Sequence, residues 1–230
     1  MQAFDSLSRD IQQYIYDKGW PSLTSIQNAA IKQVANTDHN LILSAPTASG
    51  KTEAAFIPAL NSVEDWETGL KVLYISPLKA LINDQFQRIS ELSEYLDIPI
   101  TRWHGEVSQA QKRKVVNQPK GVLLITPESI EGMLVNRPGE AQHLFKGVEW
   151  IIIDELHSFL GTERGIHLQS LLQRISQFMQ EPRFIAMSAT LNKKDFGYAK
   201  AFFGSQRDTD ILVDRDKNDL FITIDYTSGE

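Results

Sequence analysis

Eight consecutive residues, Ala45-Pro46-Thr47-Ala48-Ser49-Gly50-Lys51-Thr52, place a cation and a hydroxyl just behind a small-residue turn, at the start of a helical pattern. This is the composition of a phosphate cradle. Backbone N–H groups of Thr47, Ala48, Ser49, Gly50, Lys51 and Thr52 can point at anionic oxygens. Lys51 would reach the β and γ phosphates of a nucleotide, and the Thr52 hydroxyl would ligate Mg²⁺. Ala45 and Ala48 stand where glycine is common in such loops, and alanine disfavours positive φ.

Farther along, Trp150-Ile151-Ile152-Ile153 runs into Asp154-Glu155-Leu156-His157. A carboxylate at the C-terminal end of a buried strand beside a phosphate loop suits Mg²⁺, and a second carboxylate can orient or deprotonate water. We therefore expect Asp154 at the metal and Glu155 at the water. Lys51, Asp154 and Glu155 form the expected catalytic set.

These groups need a scaffold, and the pattern of apolar runs supplies one. The runs 41–45, 72–76, 98–103, 122–126, 150–154 and 184–188 are short, nearly continuous and rich in β-branched residues, as strands buried on both faces are. Helical patterns separate them, for example 79–92 and the repeat Leu168, Leu171, Leu172, Ile175, Met179. Two further helices, 6–18 and 24–35, precede the first strand, with Thr24 in capping position. The expected fold is α/β, a mostly parallel sheet between two helical layers. After Gly204 the chain turns polar and acid-rich, and 220–226 alternates like an edge strand. This suggests a domain over 1–204, its first 36 residues helical, and a trailing segment over 205–230.

Composition excludes several chemistries. The 230 residues carry 23 Lys plus Arg against 29 Asp plus Glu, a net charge of -6, with 42% hydrophobic residues and no cysteine. Disulfide, thiolate-metal and thiol-nucleophile chemistry are therefore ruled out. The five histidines lack zinc-ligand spacing, and no apolar stretch is long enough to span a membrane, so a cytoplasmic protein without membrane contact is expected. Net acidity argues against coating nucleic acid by overall charge but leaves room for a local track.

Six motifs in order carry a resemblance. Gln27, the phosphate loop, Ser76-Pro77-Leu78-Lys79-Ala80-Leu81, Thr126-Pro127-Glu128-Ser129, Asp154-Glu155-Leu156-His157 and Ser188-Ala189-Thr190 together resemble the first RecA-like domain of superfamily 2 DEAD/DEAH-box helicases. Within that group, Gly161 to Leu168 and His104-Gly105-Glu106-Val107-Ser108 look like segments of the large helicase-related (Lhr-like) family. The resemblance implies a RecA-like three-layer sandwich and an ATP hydrolase of helicase type with ATP and Mg²⁺ as cofactors. It also implies that Gln27 reads adenine, with Thr24 serving the nucleotide or capping its helix. His157, Ser188 and Thr190 would couple nucleotide state to grip. Pro77, Lys79, His104, Gly105, Thr126, Pro127, Glu128, Arg164 and Gly165 would meet single-stranded or partly duplex nucleic acid, with DNA favoured over RNA.

One motif points elsewhere. Asn192-Lys193-Lys194-Asp195 matches the Asn-Lys-x-Asp that reads guanine, but it follows Ser-Ala-Thr without a new strand, and we read it as a polar turn before a helix. Past Thr190 there is neither a second phosphate-loop strand set nor an Arg-rich motif. The 230 residues therefore read as half a motor, weak in turnover alone and completed by a second RecA-like domain in a longer chain or a partner subunit. The competing reading is an interaction module whose ATP state controls docking to a partner protein.

Overall fold

Consecutive residues in a β-strand point to opposite faces, and the buried strands of this chain use both faces for core. Leu41, Leu43, Val72, Tyr74, Ile152 and Ile185 join one apolar cluster, while Ile42, Leu73, Ile75, Ile151, Ile153 and Ala186 join the other. Two helical layers are needed to cover such a sheet. The structure, a computed structural model, describes residues 2–189, 191–216 and 219–223.

The first layer is built from α1 (Arg9–Asp17), α2 (Ser25–Asn36), α3 (Lys51–Ser62) and α4 (Lys79–Tyr95), which contribute Ile11, Ile26, Phe56 and Ile82. Opposite them α6 (Pro127–Asn136), α7 (Pro138–Phe145), α8 (Glu163–Ser176) and α9 (Phe196–Ala201) contribute Ile130, Leu144, Leu171 and Ala199. Helix α5 (Gln109–Asn117) buries no residue fully and leans on the second cluster through Val115 and Val116.

Between the layers lie β1 (Asn40–Ser44), β2 (Gly69–Ile75), β3 (Ile100–Trp103), β4 (Lys120–Ile125), β5 (Trp150–Ile153), β6 (Arg183–Ser188), β7 (Thr209–Asp216) and β8 (Asp219–Thr223). Their order is β3-β4-β2-β5-β6-β1-β7-β8, parallel throughout except for the antiparallel pairing of β8 with β7. The expected α/β sandwich with a mostly parallel sheet is therefore present. Because the strands run the same way, the loops after β1, β2, β3, β4, β5 and β6 all emerge at one rim.

Past Gly204 the chain adds a further strand to the sheet. Strand β7 pairs with β1 from Asn40↔Thr209 to Ser44↔Val213, and Ile211, Leu212 and Val213 are buried. Flanking acidic residues masked a strand whose central three residues complete the core beside β1. The edge strand expected over 220–226 is found as β8, with 224–226 outside the described residues.

Helix α8 docks by a close backbone approach. Thr162 caps it, its hydroxyl accepting from the Gly165 N–H at 3.0 Å, and a Cβ on Gly165 would lie 1.9 Å from the Phe159 carbonyl oxygen. The obstacle is backbone, so a side chain here must push the helix off its seat. Gly165→Ala is therefore expected to lower stability by about 1–3 kcal/mol, measured by urea unfolding.

Candidate nucleotide and nucleic-acid site

The phosphate-loop segment leaves β1 and enters α3 as the sequence suggests. Gly50 at the helix N-cap has φ 84°, and Ala48 also adopts a left-handed conformation at φ 63°. The loop thus takes its turn despite the alanine, with local strain on the order of 1 kcal/mol. A Cβ at position 50 would also sit 2.5 Å from Gln27 Nε2 and displace that amide.

Gln27 is buried, not displayed on an exposed helix face. Its Oε1 accepts from the Thr24 N–H at 2.9 Å, and its Nε2 donates to the Gly50 carbonyl at 3.4 Å. Thr24 in turn caps α2, its hydroxyl accepting from Gln27 N, so the pair forms a capping box pressed against the loop. Both polar ends of the amide that could read adenine therefore already touch the phosphate loop and its lead-in.

Lys51 folds back into the loop, its ammonium donating to the carbonyls of Ala45 and of Pro46, the latter at 3.0 Å. Burial pushes this ammonium below its ordinary pKa, while Glu155 and Asp154 pull it upward. The cation and both carboxylates therefore share one electrostatic neighbourhood. Thr52 is buried and donates its hydroxyl to Gln85 Oε1 on α4 at 3.1 Å.

Asp154 is buried at the end of β5. Its Oδ1 accepts from the Glu155 N–H at 2.9 Å, and its Oδ2 accepts from the Tyr74 hydroxyl. Burial raises the Asp154 pKa, opposed by the Tyr74 bond; burial also raises that of Tyr74 well above the ordinary phenol value. Glu155 adopts φ 51°, which turns the chain sharply into the 3-10 turn carrying His157. His157 Nδ1 lies 3.2 Å from Glu155 Oε2 and 3.4 Å from Ser188 Oγ on β6. His157 therefore stands between Glu155 and Ser188; Thr190 lies outside the described residues.

These groups fit a magnesium nucleotide. The Ser49 hydroxyl oxygen is buried in the cradle without a hydrogen-bond partner, a polar atom suited to an anion. No group of three or more His, Asp or Glu able to hold a metal occurs among the described residues. Mg²⁺ does not require one, because it commonly takes one or two protein ligands and completes its shell with phosphate oxygens and water.

A second cluster occupies the same rim beyond β2, β4 and β3. Arg164 donates to the Pro77 carbonyl and to Glu128 Oε1, the latter from Nε at 3.1 Å and from Nη2 at 2.6 Å. Lys79 pairs with Glu106. Thr126 caps α6, its hydroxyl accepting from Ser129 N at 3.3 Å, with Pro127 opening the helix. His104 is buried, its Nδ1 accepting from Glu106 N at 3.4 Å and its Nε2 facing Asn83 Oδ1 at 3.3 Å. Burial, then Arg102, pushes its pKa down, with Lys112 and Lys79 acting the same way and Glu106 opposing them. Gly105 lines a cleft of ≈ 320 Å³ with Trp103, Lys112, Met133 and Arg137. Gly165, next to Arg164 on α8, is buried against the Phe159 carbonyl.

Two residues of this rim escaped the sequence reading. Tyr74 reads as one more core residue of β2, and Gln85 as a polar position on a surface helix; only the fold brings them to Asp154 and Thr52. The Tyr74 hydroxyl bonds a buried carboxylate, an interaction of about 1.5–3 kcal/mol. Tyr74→Phe in protein free of divalent cation should lower stability by that order at neutral pH. Without the hydroxyl the folded-state pKa of Asp154 rises further. A raised carboxyl pKa costs stability above that pKa and costs nothing below the unfolded value, so the deficit should shrink as pH falls; denaturant titrations at two pH values check this.

Comparisons with known proteins point to one family. Residues 24–196 match the DEAD/DEAH box helicase family. The ATP-dependent helicase Lhr-Core of Methanocaldococcus jannaschii is 29% identical over 97% of this chain, which spans 28% of that protein. The Lhr helicase/uracil glycosylase of Escherichia coli is 32% identical over 82% of this chain and 13% of its own length. Among solved structures, Mycobacterium smegmatis helicase Lhr bound to ssDNA and AMP-PNP superposes with a TM-score of 0.81 at 28% identity, covering 94% of this chain and 28% of that one. The DEAD-box helicase Mss116 bound to ssRNA, at 19% identity and a TM-score of 0.78, shares the fold. With most of its length inside the matched segment, the chain belongs to the DEAD/DEAH box helicases.

Proposed function

We propose that this chain is the first motor domain of an ATP-dependent helicase or translocase, binding ATP·Mg²⁺ and single-stranded nucleic acid, DNA in preference to RNA. The observation that carries the reading is the sharing of one sheet rim by two clusters. Lys51, Thr52, Asp154 and Glu155 stand after β1 and β5, and Lys79, His104 and Arg164 stand around β2, β3 and β4. The single-stranded DNA and AMP-PNP of the Mycobacterium structure support it.

In this reading Lys51 leaves the Ala45 and Pro46 carbonyls to meet the β and γ phosphates, and the loop N–H groups hold the remaining oxygens. Thr52 and Asp154 hold Mg²⁺, which when bound neutralises charge on the phosphates. Glu155 accepts the proton of the attacking water as its oxygen reaches the γ phosphorus and the ADP oxygen leaves. Gln27 presents its amide to the N6 donor and N7 acceptor of adenine. At the second cluster Lys79 and Arg164 exchange their carboxylate partners for strand phosphates, positioning the strand without reading its bases.

A second RecA-like domain, in a longer chain or a partner subunit, completes hydrolysis by opposing a cation to the γ phosphate. The isolated 230 residues bind ATP·Mg²⁺ weakly and do not unwind a duplex. Supplied with that second domain, the protein should show ATPase activity stimulated by a single strand. Lys51→Ala should weaken ATP binding about 10- to 100-fold, the loss of one charge-assisted contact. Glu155→Gln should keep ATP binding and lower stimulated turnover by about 10² or more. Full turnover with Glu155→Gln, or duplex unwinding by the isolated chain, would contradict these assignments.

A further inference from the structure

Helix α4 touches both halves of the rim. At its N-terminus Lys79 pairs with Glu106, and one turn on Asn83 Oδ1 accepts from Arg102 at 2.9 Å and faces His104 Nε2 at 3.3 Å. On its other side Gln85 Oε1 accepts the Thr52 hydroxyl at 3.1 Å, and Arg88 pairs with Glu53 of α3 at 2.9 Å. Asn83 and Gln85 are two residues apart and so face different ways from the helix, one to each cluster. Gln85 lies six positions after Lys79, about 9 Å along a stiff rod.

The direction of the Thr52–Gln85 bond matters. A hydroxyl has one hydrogen and two lone pairs, and donating that hydrogen to Gln85 leaves the lone pairs of Thr52 free for a cation. The Thr52 hydroxyl hydrogen goes to Gln85, while the Asp154 oxygens accept from the Tyr74 hydroxyl and the Glu155 N–H.

We propose that Gln85 is a positioning residue that orients the Thr52 hydroxyl for the metal and, through α4, ties that orientation to the strand held at Pro77, Lys79 and His104. The inference rests on the proposed function and adds a specific mechanical link to it. A strand seated on the N-terminal end of α4 shifts or stiffens the helix, and Gln85 passes the change to Thr52. Coupling of this kind is reciprocal, so the magnesium nucleotide also tightens the grip on the strand.

The test is equilibrium binding of a fluorescent ATP analogue to the 230-residue chain, in Mg²⁺ and in EDTA, each with and without saturating oligo(dT) or oligo(rU). In the unaltered chain the strand should tighten nucleotide binding in Mg²⁺ by about 5-fold or more, and in EDTA by little. Gln85→Leu should reduce the Mg²⁺-dependent tightening to under about 2-fold, with strand affinity and nucleotide affinity in EDTA unchanged. Gln85→Glu, which can only accept a hydrogen bond, should restore the tightening. A purely structural role would not produce a loss confined to Mg²⁺ and reversed by Glu. Full tightening with Gln85→Leu, or none in the unaltered chain that still binds nucleotide, overturns the inference alone. No nucleotide binding by the unaltered chain overturns the proposed function beneath it.

Discussion

A parallel sheet buried on both faces can present polar side chains only at its ends, and this constraint governs the molecule. Strands β1, β2, β4, β5 and β6 arrive at the same rim carrying largely apolar runs that both layers use, so the chemistry sits in the residues immediately after the run: Ala45 to Lys51 after β1, Asp154 after β5, Ser76 and Pro77 after β2. Sheet order then decides which loops are neighbours. Strand β6 alone separates β1 from β5, and β2 lies between β5 and β4, so the loop of Lys51 is near Asp154 while Pro77 stands between Asp154 and Thr126.

Within that frame the charges satisfy one another. Lys51 is held by its own loop carbonyls, Arg164 by Glu128 and Pro77, and Lys79 by Glu106. Exchanging these partners for phosphate oxygens costs little, because a partly exposed ion pair contributes only about 0–1 kcal/mol net. The overall charge of -6 therefore says little about binding, since the relevant cations are few, placed and already paired at one edge of an acidic protein.

Much of this was legible in the sequence because the strands announce themselves as β-branched runs and the motifs directly follow them. The helices were legible through their spacing, with α4 running from Lys79 to Tyr95 and Thr24 in its capping place. Strand β7 was not, because Ile211, Leu212 and Val213 stand among acidic residues that read as a solvated tail until β1 provides a neighbour. Ala48 seemed to argue against the loop geometry, yet the fold holds it at φ 63°. Tyr74 and Gln85 carry no local signature at all. A tyrosine in a buried strand and a glutamine on a helix acquire meaning only when tertiary structure sets a carboxylate or a hydroxyl beside them.

The proposed function makes the loop from Ala45 to Thr52, with Gln27 against it, an adenine nucleotide site. Asn192 to Asp195, a 3-10 turn leading into α9, offers the opposite base preference in its sequence alone. Equilibrium binding of ATP and GTP to the purified chain in Mg²⁺ separates the two most directly. ATP should bind about 10-fold or more tightly than GTP, the worth of one base-reading contact, and Gln27→Ala should remove the difference. Equal affinity for the two nucleotides in the unaltered chain, or tighter binding of GTP, would contradict it.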